Sequence, residues 1–123
     1  MVEFKRALFV LASPAEVQES LYPSQVAIGD EIVNDFGFAL DDLNTAEFTP
    51  RGQESLKALD QYIIEHSGKR YADHYLDNDK LQTSTIWVNI RELANKAIDE
   101  SGFSTDKPEE LQPKGIYVVG NRT

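Results

Sequence analysis

The sequence contains no cysteine, no long hydrophobic run, and no basic residue over a long stretch of its first half. The absence of cysteine excludes a disulfide framework, a zinc knuckle and a thiol nucleophile. It also suits a reducing cytoplasm, where we expect the protein to act. No stretch approaches the ~20 consecutive apolar residues of a membrane-spanning helix. The apolar run at residues 7–12 is too short for a signal peptide, so we expect neither a membrane segment nor a cleaved leader.

The residues that are present are typical of one globular domain that spans residues 1–123. A chain of 123 residues is long enough for a single hydrophobic core but rarely for two. Its hydrophobic fraction is 41%, and it contains six Phe, five Tyr and one Trp, whereas disordered sequences have few aromatic residues. The composition therefore predicts a folded protein.

The negative charge is concentrated in one segment. Residues 7–50 contain eight acidic residues and no Lys, Arg or His, so this segment holds nearly all of the net charge of −9. Phosphates would be repelled by such a segment, which argues against binding to nucleic acid or to an anionic membrane. A basic protein surface would be attracted to it. An alternative interpretation is that the acidity only improves solubility.

Hydrophobic periodicity and helix-start signals predict a mainly α protein, a small helical bundle in a single domain. The candidate N-caps are Ser13, Ser24, Thr49 and either Thr83 or Ser84. The predicted helices are 2–12, a short one that begins after 13–14 and ends at 22–23, about 25–43, about 50–67, a short piece at 69–76, and about 85–101. The segment DNDK, residues 77–80, is predicted to be a turn.

The C-terminal part has a different pattern. Residues 103–115 are loop-like, and IYVVG at 116–120 has the β-branched and aromatic composition of a strand. A single strand needs a partner for its backbone groups. This segment is therefore predicted to be an extended C-terminal tail or a lone short strand that pairs with the N-terminus or with another protein.

Chemical motifs are scarce in this sequence. The acidic stretch at 73–79 fails as a calcium loop, because Leu81 and Gln82 stand where a ligand and a glycine are needed. The chain has only two His, no nucleophile elbow and no glycine-rich phosphate loop. We therefore expect no catalytic residues, no metal site and no cofactor. A pair of carboxylates that cleaves a glycosidic bond is defined by geometry, so a small enzyme stays an alternative.

The segment IGDEIVNDFGFALDDL, residues 28–43, carries the candidate binding site. With about 100° per residue, its aliphatic residues and Phe36 form one stripe, whereas Phe38 lies in the middle of the acidic side. An aromatic residue with a charged rim is a common arrangement in protein–protein hot spots. The candidate partner-binding residues are Asp30, Glu31, Asp35, Phe38, Asp41 and Asp42. In the alternative interpretation, Gly37 interrupts the helix and Phe38 turns into the core.

A small, acidic, helical chain without cysteine and with this acidic face resembles the immunity proteins of bacterial toxin systems. The resemblance is carried by Phe38, by the five acidic residues around it and by the segment 7–50 without basic residues. It implies binding to a colicin-type or contact-dependent inhibition toxin, most often a basic nuclease domain. The alternative class is a regulatory or scaffolding domain that uses residues 114–119 to add a strand to a partner's sheet.

Overall fold

The computed structural model describes residues 2–44, 46 and 48–103, and within this part the protein is mainly α-helical. The described residues form seven α-helices and a 3-10 helix at Lys69–Tyr71. The α-helices are α1 (Val2–Ala12), α2 (Ala15–Ser20), α3 (Ile28–Asp41), α4 (Pro50–Glu65), α5 (Ala72–Leu76), α6 (Lys80–Thr83) and α7 (Thr85–Glu100). The prediction of a small helical domain is confirmed. The predicted strand at 116–120 lies outside the described residues.

The two longest helices begin at the caps that the sequence predicts. Thr49 Oγ1 accepts a hydrogen bond from the Gly52 amide at 3.0 Å, which starts α4. Ser84 Oγ accepts one from the Ile86 amide at 3.1 Å, which starts α7. Each hydroxyl satisfies an amide that has no carbonyl partner in the first helical turn.

The two other predicted caps are wrong. The hydroxyl of Ser13 donates a hydrogen bond back to the Phe9 carbonyl at 2.6 Å, so α2 begins without a side-chain cap. Helix α3 begins at Ile28 rather than next to Ser24, and its first amide donates to Asn78 Oδ1 at 2.8 Å. The cap of α3 is therefore supplied by the turn at 77–80, which is distant in sequence.

Helix α7 forms the centre of the core. Trp87, Ile90, Ala94 and Ala97 are fully buried along one side of this helix, as its periodicity predicts. Helices α1 and α4 both pack against α7, and α3 packs against α1 and α5. The first turn of α3 also lies close to α7, since a Cβ at Gly29 would be 3.0 Å from the Trp87 ring.

A buried polar network joins the corner between α1 and α2 to α6 and α7. Arg91 donates hydrogen bonds to the Ser13 carbonyl at 3.1 Å, to Gln18 Oε1 at 2.9 Å and to the Leu81 carbonyl. Gln18 is fully buried and itself donates to the Val10 carbonyl at 2.9 Å. Burial lowers the pKa of Arg91. These acceptors are neutral, and the carboxylates of Glu16 and Glu19 favour the charged form of Arg91.

Candidate protein-binding surface

Phe38 lies on the outer side of α3, where its ring is 72% exposed. Helix α3 continues through Gly37 without interruption, and Gly37 does not have a positive φ. Phe36 is 1% exposed and faces the core from the same helix. The interpretation in which the helix breaks at Gly37 and Phe38 enters the core is therefore wrong.

Asp35 and Asp42 lie on the edge of α3 that faces α1. Together with Phe38 they line a groove of about 290 Å³ that also includes Glu3 and Arg6 from α1. The groove is lined by Glu3, Arg6, Ala7, Asp35, Phe38, Ala39 and Asp42. Arg6 is the last basic residue before the acidic segment, and the packing of α1 on α3 brings its positive charge to this edge.

Asp35 also has a structural role. Its Oδ2 accepts a hydrogen bond from the Tyr22 hydroxyl at 2.8 Å, and Tyr22 is 5% exposed. Burial raises the pKa of Tyr22, and the negative charge of Asp35 raises it further. The fold therefore needs Asp35 in place to hold a buried phenol, whereas Asp41 and Asp42 are exposed.

Asp30 lies on the opposite edge of α3, beside the 3-10 helix and α5. It accepts a long hydrogen bond of 3.4 Å from Asn34 Nδ2, and both residues line a groove with Lys69 and Leu76. Lys69 brings a positive charge to this end of the acidic side. Leu76 adds an apolar side chain that is 57% exposed.

Asp41 faces the gap between α3 and α4, not the groove that contains Asp42. Glu31 lies half-buried in the first turn of α3. The six candidate residues thus share the outer side of one helix, with Phe38 in the middle and carboxylates on both edges. They do not form one pocket, because the acids face three different grooves.

The helix dipole divides these acids into two groups. Asp30 and Glu31 lie in the first turn of α3, where negative charge is stabilised by the unpaired amides. Asp41 ends the helix and Asp42 is its C-cap, and the last turn contains no basic residue. Negative charge is unfavourable at that end. The acids at the N-terminus therefore stabilise the helix, whereas those at the C-terminus oppose its dipole.

The two histidines have structural partners. His74 Nδ1 is hydrogen-bonded to Ser84 Oγ at 2.7 Å, beside the cap of α7. The ring of His66 stacks on Tyr62 at 4.0 Å, and its Nδ1 is hydrogen-bonded to the Tyr62 carbonyl at 2.8 Å. Within residues 2–44, 46 and 48–103, no group of three or more His, Asp or Glu side chains is arranged to hold a metal ion. None of the helices described is long and apolar enough to cross a membrane.

Sequence reasoning missed the charged residues that other elements bring to the grooves beside α3, among them Arg6, Lys69 and Asp60, a residue of α4 that lines the same groove as Asp41. None of them belongs to α3, so no periodicity within α3 could reveal them. Comparison with known proteins adds no further residue. No family model matches the sequence, and no curated protein or solved structure matches it.

Proposed function

We propose that the protein is a binding module that holds a basic protein partner on the outer side of α3. The observation that carries this proposal is the 72% exposure of Phe38 between acidic residues. Exposing a large aromatic ring to water gives no benefit to folding. On a binding surface the same ring supplies a large contact area with few rotatable bonds, so it costs little entropy to fix.

The partner that suits this surface is cationic. Asp41 and Asp42 are exposed on either side of Phe38 and lie at the negative end of the α3 dipole, so a positive partner would relieve an unfavourable arrangement. Following the resemblance to immunity proteins, we propose that the partner is a bacterial toxin domain. A nuclease is the favoured class, because its active site must be basic to hold phosphates. The chain would then act in the cytoplasm by blocking that site, without an active site of its own.

Isothermal titration calorimetry tests this function. The probe is the product of the gene adjoining this chain's gene, prepared as a catalytically inactive protein, because the resemblance predicts that this gene encodes the toxin. Phe38→Ala is expected to weaken binding by about 30-fold, the equivalent of a hot spot of ~2 kcal/mol. Ile64→Ala is the matched control, since Ile64 is an apolar side chain on α4 with an exposure of 66%. It should leave the affinity unchanged.

Two further measurements distinguish binding by the acidic surface from binding by strand addition. Affinity should fall as salt increases, because exposed charges are screened beyond ~8 Å at physiological ionic strength. Deletion of residues 115–123 should leave binding intact, whereas a scaffold that binds by strand addition would lose it. Equal affinities for the Phe38→Ala variant and the unmodified protein would refute the proposal.

A further inference from the structure

Helices α3 and α4 leave an open groove between them. Neither helix is a main packing partner of the other, yet residues of both line the same groove. The groove has a volume of about 750 Å³. It is lined by Leu40, Asp41, Leu43, Pro50, Gln53, Glu54, Leu56, Lys57 and Asp60.

The lining of this groove is partly aliphatic and partly acidic. Leu40 and Leu43 are half-buried and contribute aliphatic surface, whereas Leu56 is buried beneath the groove. The charged side chains on the walls are three carboxylates and one ammonium group, so the groove carries a net negative charge; they are Asp41, Glu54, Asp60 and Lys57. A long aliphatic side chain with a cationic head matches this combination, because its stem can cover apolar surface while its head stays polar.

Asp41 and Asp60 repel each other across the groove. Partial burial raises the pKa of Asp60, and the negative charge of Asp41 raises it further. A cation between the two carboxylates would remove this repulsion. It would also lie near the C-terminal end of α3, where the helix dipole favours positive charge.

Gly37 lies one turn of α3 before two residues that line the groove. It precedes Leu40 and Asp41 by three and four residues, so it lies on the same side of the helix. A Cβ at Gly37 would meet no atom within 4 Å. A glycine inside a helix costs about 1 kcal/mol relative to alanine. Neither packing nor φ requires that cost at Gly37, whereas the approach of a partner would benefit from the missing side chain.

We propose that the groove between α3 and α4 receives a lysine or arginine side chain of the basic partner. The aliphatic stem lies on Leu40 and Leu43, and the cationic head lies between Asp41 and Asp60. This inference rests on the proposed function, since it assigns a second contact to the same partner. It adds Asp60, a residue of α4, to a binding surface that otherwise belongs to α3.

The groove can be tested without the partner by titrating the full chain with n-butylammonium, an analogue of the lysine side chain. At constant ionic strength, saturable ¹H–¹⁵N shift changes are expected at Leu40, Leu56 and Asp60. Asp60→Asn should weaken the binding about fivefold, as expected for one ion pair. Lys57→Ala should strengthen it. Asp42→Asn is the matched control and should have little effect, because Asp42 lines the other groove.

Two results of this titration would overturn the inference. The first is an equal affinity for 1-butanol, which has the same stem without the charge. The second is an equal loss of affinity in the Asp42→Asn and Asp60→Asn variants, which would indicate diffuse attraction to the whole acidic side. The inference would also be overturned if the groove residues showed no saturable shifts.

Calorimetry with the adjoining gene product separates this inference from the proposed function. Loss of affinity in both the Phe38→Ala and the Asp60→Asn variants supports the groove contact. Loss in the Phe38→Ala variant alone overturns the groove contact and leaves the binding function standing. Unchanged affinity in both variants overturns the proposed function itself, whatever n-butylammonium does.

Discussion

Replacing Asp30 and Asp41 separately by asparagine should change stability in opposite directions. Both residues belong to α3, Asp30 in its first turn and Asp41 at its last position. The substitution removes one negative charge and keeps the size of the side chain. Asparagine and aspartate also have similar helix propensities. The remaining difference is the interaction of each charge with the helix dipole and with its neighbours.

The size of each effect can be estimated from the dipole. A charge in a terminal turn contributes about 0.3–1 kcal/mol. Asp30→Asn should therefore lower the free energy of unfolding by this amount, while Asn Oδ1 can still accept the hydrogen bond from Asn34. Asp41→Asn should raise it by a similar amount, with a further gain because the repulsion of Asp60 disappears. The two variants should thus differ by ~1–2 kcal/mol.

Urea unfolding followed by the fluorescence of Trp87 measures both changes, because Trp87 is the single tryptophan and is fully buried. An effect of ~0.7 kcal/mol moves the urea midpoint by about 0.4 M for a domain of this size. Repeating the measurement in 1 M NaCl should shrink both shifts, because the screening length falls to ~3 Å. Two shifts of the same sign, or a loss of stability in Asp41→Asn, would refute the division of the acids into stabilising and opposing groups.

Four other substitutions probe the fold. Gly37→Ala should stabilise the protein by about 1 kcal/mol. Gly29→Ala should destabilise it by roughly 1–3 kcal/mol, because the new Cβ would lie 3.0 Å from the Trp87 ring. The urea midpoints of the two variants measure both changes. Arg91→Ala should cost at least ~2 kcal/mol in the same assay, since it leaves buried acceptors unsatisfied. The fold raises the pKa of Tyr22 above its ordinary 10.0, so the unfolded chain loses that proton first and stability should fall as pH rises above this value. Tyr22→Phe should make this fall smaller without removing it, because burial also raises the pKa of Tyr75.

Sequence reasoning correctly predicted the helices whose caps and apolar spacing involve residues close together in the sequence. Thr49 and Ser84 cap helices through amides two or three residues away, and the apolar side of α7 follows from a regular spacing. The start of α3 was misplaced because its cap, Asn78, is fifty residues distant from Ile28. Such a contact exists only after the chain has folded, so no local pattern contains it.

The difference between local signals and distant contacts also applies to the proposed binding surface. The exposure of Phe38 follows from the phase of one continuous helix, which is why periodicity could propose it. The charge balance around that helix depends on Arg6, Lys69 and Asp60, which packing brings to its edges. Arg6 lies beside Asp35 and Lys69 beside Asp30, whereas the groove at Asp41 contains two further carboxylates and one lysine.

The C-terminal half of α3 combines several features that disfavour folding. Gly37 weakens the helix, Phe38 exposes an aromatic ring, Asp41 and Asp42 oppose the dipole, and Asp41 repels Asp60. A single substitution can remove any one of these features. Each such substitution is expected to leave the free energy of unfolding unchanged or to raise it by up to about 1 kcal/mol. Residues that weaken the local structure are expected at functional sites. Their clustering within six residues supports the proposal of a binding surface at this end of α3, because the acids at the other end already have a structural explanation.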